Sequence, residues 1–100
     1  MDRPEYLLKL TINERRIIRV VIDQHYKGKH PYLDDQMILE MLKGLDGQNF
    51  PFEEIHGDFS YFKAEPVFFD GKPYRLILLL SETDNFLGVV NAFRVPRRKI

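Results

Sequence analysis

The sequence predicts an α+β domain in which an N-terminal β-hairpin precedes one main helix and a C-terminal three-stranded antiparallel meander. Two observations predict strands at both ends of the chain. Apolar residues recur with a period of two near the N-terminus, and apolar, aromatic-rich segments separated by short turns fill residues 59–95. A third observation places a helix between them, because residues 37–45 carry apolar side chains at helical spacing. With 100 residues, the chain is expected to form a single domain over residues 1–100.

The first two predicted strands form the hairpin. Tyr6–Ile12 places an apolar side chain at every second position, and Arg15–Ile22 is rich in β-branched residues. Asn13 and Glu14 separate the two segments, and asparagine tolerates the positive φ that a tight turn requires. This pattern is typical of a β-hairpin.

The main helix is predicted to follow a polar connector over residues 23–33. A glycine and a proline in the connector interrupt any longer helix there. Asp34 or Asp35 can cap a helix that extends to about Leu45, and both carboxylates suit the positive end of the helix dipole. The apolar stripe of this helix is expected to be buried, and it consists of Met37, Ile38, Met41, Leu42 and Leu45.

The C-terminal part of the chain indicates three strands after an irregular acidic segment over residues 48–58. The first, Phe59–Phe69, contains Pro66, which belongs on an edge strand or at a bulge. The second, Tyr74–Ser81, is nearly all apolar, which is typical of a central strand covered on both faces. The third, Leu87–Val95, precedes a basic tail. Short links between the strands predict an antiparallel meander with the helix packed on one face.

The net charge of zero conceals an uneven distribution. Residues 1–30 carry seven lysines and arginines against four acidic residues, residues 31–70 carry two against nine, and residues 71–100 carry six against two. A folded chain could present a basic face and an acidic face, or the charges could simply solvate exposed surfaces. The neutral total argues against a strong, nonspecific nucleic-acid binder, whose domain is usually basic overall.

Other classes of protein are disfavoured by what the sequence lacks. Cysteine is absent, which excludes disulfides, thiolate nucleophiles and cysteine-ligated zinc. Residues 1–5 lack the apolar core of a signal peptide, and the longest purely apolar run, Leu76–Leu80, is far too short to span a bilayer. We therefore expect a soluble cytoplasmic protein with no membrane partner.

The segment over residues 23–30 is the strongest candidate for chemistry, because it combines two histidines, two lysines and a tyrosine. A single histidine suits general acid–base work, and Lys27 and Lys29 suit an anionic substrate such as a phosphodiester. His25 and His30 are five residues apart, so on a helix they would not share a face. We therefore expect no metal site built from these two histidines. The alternative is a surface loop of solvated polar groups.

The last predicted strand carries two polar residues of opposite parity, Asn91 and Arg94. Asn91 is expected on an otherwise apolar face, where a buried amide needs hydrogen-bond partners. Arg94 is expected on the opposite face among small side chains, with Arg75 of the neighbouring antiparallel strand nearby. An arginine at this position can clamp a phosphate, or it can pair with an acidic residue such as Asp34 or Asp35.

With these features in place, the chain resembles the RelE/ParE-type toxin superfamily, within the barnase–EndoU–colicin–RelE group of small ribonuclease folds. The resemblance covers mainly residues 23–95. It consists of a histidine before a helix (His25), a basic residue about four positions later (Lys29), and a terminal meander of the form Tyr74–Ile77 followed by Val89–Arg94.

The resemblance implies a metal-independent ribonuclease that uses the RNA 2′-hydroxyl as nucleophile and needs no cofactor. Carried over, His25 would be the acid–base residue, and Lys29 and Arg94 would complete the catalytic set by neutralising the phosphate. The substrate-binding residues would be Lys27, His30, Arg75 and Asn91. Such a toxin is normally held by an antitoxin protein, so the implied partners are RNA and an antitoxin.

A noncatalytic protein-interaction module is the alternative function, since some members of the superfamily bind a protein target and cleave no RNA. In that case Phe50–Pro51–Phe52 would supply exposed apolar anchors. The two hypotheses differ in one requirement, because the ribonuclease needs His25, Lys29 and Arg94 to converge on one cleft. The sequence leaves the oligomeric state open.

Overall fold

The computed structural model of the protein describes residues 3–96. Its elements in chain order are β1 (Glu5–Ile12), β2 (Arg15–Ile22), α1 (Tyr26–Lys29), α2 (Asp35–Lys43), β3 (Glu54–His56), β4 (Phe59–Phe69), β5 (Lys72–Ser81) and β6 (Phe86–Arg94).

All six strands belong to one mixed sheet with the spatial order β1-β2-β6-β5-β4-β3. Strands β3, β4, β5 and β6 pair antiparallel in sequence order, and β1 pairs antiparallel with β2. The two groups are joined by a parallel pairing between β2 and β6, which extends from Arg19 opposite Phe86 to Ile22 opposite Val89.

The predicted fold class is therefore wrong. A hairpin, one main helix and a three-stranded meander were expected, whereas the protein is mostly a single six-stranded sheet with two short helices. Periodicity locates strands from local sequence, but it does not reveal which distant strands pair. The expected irregular segment also supplies a strand, β3, whereas the helical turn expected in the connector is present as α1.

The core lies on one face of the sheet, where α2 buries Ile38, Met41 and Leu42. Asp34 is the N-cap of α2, and its side chain accepts a hydrogen bond from the Met37 N–H at 2.8 Å. Gly44 is the C-cap of the helix. Every strand from β1 to β6 except the short β3 contributes buried apolar side chains to this single core.

The opposite side of the sheet, here named the open face, has no helix packed on it within residues 3–96. Its central side chains are only half-buried, among them Ile77 and Leu79 of β5, Val21 of β2 and Phe86 of β6. Strand β5 was expected to be covered on both faces. In the single chain described here, α2 covers only one of them.

A β-bulge in β6 changes the faces of the residues that follow it. Asn91 lies opposite Ile77 and Val89 lies opposite Leu78, so Val90 is an extra residue between them. As a result, Val89 and Ala92 both point into the core, and Asn91 moves to the open face beside Ile77. A prediction that assumes strict alternation of side chains along β6 therefore places Asn91 on the wrong face.

Candidate functional site

The candidate site lies along the C-terminal half of β6, where β2 has left the sheet. The last main-chain bond on this side runs from the Asp23 N–H to the Val89 carbonyl, at 3.0 Å. Beyond it two edge N–H groups are satisfied by side chains. The Ala92 N–H donates to Asn91 Oδ1 at 2.9 Å, and the Arg94 N–H donates to the Tyr32 hydroxyl at 3.0 Å. The edge of β6 is therefore closed by side chains where a strand would otherwise pair.

Four residues form what we name the Tyr32 cluster: His30, Tyr32, Phe93 and Arg94. The Tyr32 hydroxyl lies 3.3 Å from His30 Nδ1, and the Arg94 guanidinium lies over the Tyr32 ring at 5.2 Å from its centroid. The His30 ring stacks on Phe93 with the ring centroids 5.5 Å apart. An imidazole and a guanidinium are thus held on the same phenol ring.

The charge of Arg94 is not neutralised by a carboxylate anywhere within residues 3–96, and its side chain is exposed. Arg75 differs, because its Nε and one terminal nitrogen donate to the two Glu65 oxygens at 2.6 and 2.7 Å. The bond to Glu65 raises the pKa of Arg75, and its guanidinium lies 5.5 Å from the Phe93 centroid. Of these two arginines, Arg94 is therefore the one that is available to an anion.

His25, the acid–base residue implied by the resemblance, lies at the other end of α1. Its Nδ1 is 2.8 Å from Asp23 Oδ1, and its N–H donates to the same oxygen at 3.0 Å. The His25 N–H is the main cause that lowers the pKa of Asp23, and the Arg3 side chain also bonds that carboxylate. His25 and His30 flank the four residues of α1, at its N-cap and its C-cap respectively. His25 and Arg94 therefore belong to different contact networks.

The remaining residues that the sequence proposed are distributed over both ends of this region. Lys27 and Lys29 are exposed in the single turn of α1, and the charge of Lys27 contributes to lowering the pKa of Asp35. Asn91 satisfies the edge of β6 instead of facing the apolar core, because of the bulge. The structure thus brings together His30, Arg94 and, through Phe93, Arg75.

A carboxylate that sequence reasoning missed positions the cluster. Asp35 accepts hydrogen bonds from the Tyr26 and Tyr6 hydroxyls, each at 2.6 Å, and from Gln24 Nε2 at 3.1 Å. These bonds tie α1 and the start of α2 to β1, so they fix the loop that carries His30. From sequence, Asp35 was interpreted as a helix cap, a partner of the helix dipole or a possible ion-pair partner of Arg94, and within residues 3–96 the structure shows no such pair with Arg94.

The electrostatics of Asp35 show why it stays charged. Burial by itself raises the pKa of this carboxyl, but the hydrogen bonds from Tyr26, Tyr6 and Gln24 outweigh burial and lower it. Burial and the bond to Asp35 raise the pKa of Tyr26, which is fully buried. Both phenols are therefore held as proton donors to a carboxylate.

Residues 3–96 contain no group of three or more histidine, aspartate or glutamate side chains that could hold a metal ion. No helix in the same range is both long and apolar enough to cross a membrane. Comparison with known proteins adds nothing to this geometry: no family model matches the chain, and no curated protein or solved structure matches it either.

Proposed function

We propose that the protein binds a phosphodiester of single-stranded RNA at the Tyr32 cluster and cleaves it without a metal ion. One observation carries this proposal. The Tyr32 hydroxyl contacts both His30 Nδ1 and the Arg94 N–H, while the Tyr32 ring carries the Arg94 guanidinium. A group able to move protons and an unpaired cation are thereby held side by side, which is what acid–base cleavage of a phosphodiester requires.

The hydrogen bonds support a role for His30 as the base. A phenol oxygen can both donate and accept hydrogen bonds, so the Tyr32 hydroxyl can accept a hydrogen bond from a His30 Nδ1–H. In that tautomer the Nε2 lone pair is free to accept the proton of an RNA 2′-hydroxyl. The 2′-oxygen then attacks the adjacent phosphorus, and the bond from phosphorus to the 5′-oxygen breaks. The leaving oxygen takes a proton from water, which gives a 2′,3′-cyclic phosphate and a 5′-hydroxyl.

Arg94 is assigned the phosphate. Its planar guanidinium can donate two parallel hydrogen bonds to phosphate oxygens and offset the charge that develops during attack. Lys29 precedes His30 and is exposed, so it adds positive charge on the approach of the strand. Asp35 acts through position only, since it holds α1 and the loop after it.

The proposal includes the partners that the resemblance implied and the compartment that the sequence predicted. RNA is the substrate, the protein acts in the cytoplasm, and an antitoxin protein would silence it by covering the exposed side chains of the Tyr32 cluster. The neutral net charge of the chain fits a short RNA contact better than tracking along a long polyanion.

A cleavage assay in EDTA tests this function directly. We expect wild-type protein to cut a fluorescent single-stranded RNA to fragments ending in cyclic phosphate, and to leave the same strand intact when it is made of DNA. His30→Ala and Arg94→Ala should each lower the rate by about a hundredfold or more. His25→Ala is the matched control, because it removes a histidine from the other end of α1 and should retain activity.

Two results would contradict the proposal. One is a folded wild-type protein that leaves RNA uncut over hours. The other is a loss of cleavage in His25→Ala together with full activity in His30→Ala, because this would place the chemistry outside the Tyr32 cluster.

A noncatalytic protein-interaction module is the second candidate function, and the side chains of the predicted anchor segment bear on it. Phe50 stacks on Phe62 with centroids 5.4 Å apart, whereas Phe52 remains 40% exposed. Phe52 is thus the aromatic residue of that segment that is most open to a partner. This candidate predicts that His30→Ala and Arg94→Ala leave the biological effect unchanged while Phe52→Ala weakens it.

A further inference from the structure

The open face is apolar where an exposed sheet face would normally be polar. In β5, Leu76, Leu78 and Leu80 are buried in the core, while Ile77 and Leu79 alternate with them on the open face and are only half-buried. A sheet with one solvated face usually alternates apolar and polar side chains. The sequence of β5 therefore fits a strand that is covered on both sides, and a single chain supplies only one layer.

The open face contains both a hollow and a protruding side chain. The hollow has a volume of about 420 Å³, and its apolar lining comes mainly from Val21, Phe59, Tyr61, Leu79, Phe86 and Val90. The ion-paired residues Arg3, Arg19 and Asp23 also line it. Gly88 forms part of its floor, and a Cβ there would lie 2.8 Å from Leu79 Cγ, so glycine lets Leu79 lie across the strand. The hollow is thus built by the packing of Leu79 against a glycine.

The protruding side chain is Leu7, on the edge strand β1. It lies opposite Arg19, whose guanidinium covers the Phe86 ring, so Leu7 points to the open face. Its side chain is 92% exposed, the most exposed of the large apolar residues within residues 3–96. An apolar knob and an apolar hollow therefore occupy the same face.

Charges on the open face are paired within the chain. The pairs at or beside it are Arg3 with Asp23, Arg19 with both Glu5 and Asp84, Lys63 with Glu53, and Arg75 with Glu65. Such a surface offers a polyanion no unpaired cation among these residues. It suits a protein surface that is itself neutral, with an apolar centre and a rim of mixed charge.

The size of the face fits a stable dimer. Five of the six strands have eight or more residues; spaced about 4.8 Å apart they span about 24 Å, and eight residues at about 3.4 Å each span about 27 Å. The resulting area of about 650 Å² lies within the roughly 600–1,000 Å² that one partner contributes to an interface of standard size.

From these observations we propose that the open face binds the open face of a second copy of this chain, with Leu7 of each copy seated in the hollow of the other. A two-fold axis makes knob and hollow meet twice, because each copy presents both. The neutral, internally paired charges let two identical faces approach without net repulsion. The second sheet then supplies the layer that β5 lacks in a single chain.

The mass of the protein in solution is the first test. Sedimentation equilibrium from about 10 µM to about 1 mM should give twice the chain mass of 11.9 kDa at the upper concentrations. Leu7→Asp should weaken the dimer by about a hundredfold or more, since it buries two unpaired charges per dimer. Ile55→Asp is the control, because Ile55 is 66% exposed and its strand partner Ser60 faces the core side. A wild type that is monomeric at every concentration overturns the proposal, as does a dimer that Leu7→Asp leaves intact.

Cross-linking tests the seating of Leu7. The chain has no cysteine, so Leu7→Cys and Val90→Cys each introduce a single thiol. Mixing the two variants under mild oxidation should give a disulfide-linked dimer of unlike chains in greater yield than either variant alone. A mixture of Ile55→Cys with Val90→Cys should give no such excess. Equal yields in both mixtures would overturn the knob-in-hollow arrangement.

Discussion

At the scale of single residues, Asp35 is the polar side chain that joins three separate segments of the described region through hydrogen bonds. Two phenols and one amide donate to it, and its partners come from β1, the connector and α1. Removing the negative charge leaves the two tyrosine hydroxyls with a weaker acceptor, and one of them, Tyr26, is fully buried.

We therefore expect Asp35→Asn to destabilise the protein by about 2–3 kcal/mol, the range for hydrogen bonds to a charged group. Urea unfolding at pH 7 measures this directly. Asp34→Asn is the control, because asparagine still accepts the hydrogen bond from the Met37 N–H. This change should lower the free energy of unfolding by only a few tenths of a kcal/mol. Equal stabilities for Asp35→Asn and wild type would contradict the assigned role.

The same carboxylate predicts a pH dependence of stability. The folded-state pKa of Asp35 lies below its ordinary value, so its stabilisation is present above the unfolded-state pKa and is lost as pH falls through the folded-state pKa. Asp23 has the same sign, with its pKa lowered chiefly by the His25 N–H. We expect a flat free energy of unfolding above about pH 5 and a fall below about pH 4.

A comparison of variants isolates the contribution of Asp35 to this curve. The difference in unfolding free energy between wild type and Asp35→Asn should shrink as the pH is lowered below about 4, because the wild-type carboxyl then becomes protonated. If this difference in unfolding free energy stayed constant down to about pH 2.5, protonation of Asp35 would not be coupled to folding.

Individual residues also show where prediction from sequence stops. Arg94 and His30 were both proposed from sequence as part of a candidate site, and the structure places them around Tyr32. No sequence pattern had singled out Tyr32. Asn91 was expected to face the core. The bulge at Val90 moved it, and a bulge depends on pairing geometry that no local pattern reports.

At the scale of elements, α1 and the loop after it take the place of a strand beside the C-terminal half of β6. This arrangement gives the Tyr32 hydroxyl a structural task in addition to the proposed chemistry, since it accepts the Arg94 N–H. Tyr32 is partly exposed, so water can replace the hydroxyl at a modest cost.

Tyr32→Phe should therefore lower stability by less than about 1 kcal/mol while loosening the end of β6. Native-state hydrogen exchange should show faster exchange of the Arg94 amide, with the amides of β5 unchanged. Tyr61→Phe is the matched control, since the Tyr61 hydroxyl has no hydrogen-bond partner within residues 3–96, and it should leave both readouts at wild-type values. An Arg94 amide that stays protected in Tyr32→Phe would mean that another group closes this edge.

Most strand positions were accessible from local sequence. Tyr6–Ile12 was predicted and the strand starts one residue earlier, and the predicted Phe59–Phe69 has the observed bounds. The helix was expected to reach about Leu45 but ends at Lys43, because Gly44 closes it. Strand β3 was missed, since its three exposed residues carry no alternation of burial.

At the scale of the whole molecule, the parallel pairing of β2 with β6 decides the architecture. It brings together segments more than 60 residues apart and converts two local sheets into one. Such a pairing follows from burial of both segments in a common core, not from any turn between them, so no sequence window contains it. The predicted fold class failed at this step.

The joined sheet predicts a single cooperative unfolding transition. Ile22 is fully buried at the junction, opposite Val89 of β6, and it shares one core with residues of β4 and β5. Ile22→Ala should therefore cost about 2–5 kcal/mol and lower the midpoint of the whole protein. Far-ultraviolet circular dichroism and tyrosine fluorescence should trace the same denaturation curve in both proteins. If the N-terminal hairpin instead folded independently, Ile22→Ala would split the curve into two steps, and the amides of β4 would keep wild-type protection from hydrogen exchange while those of β1 lost it.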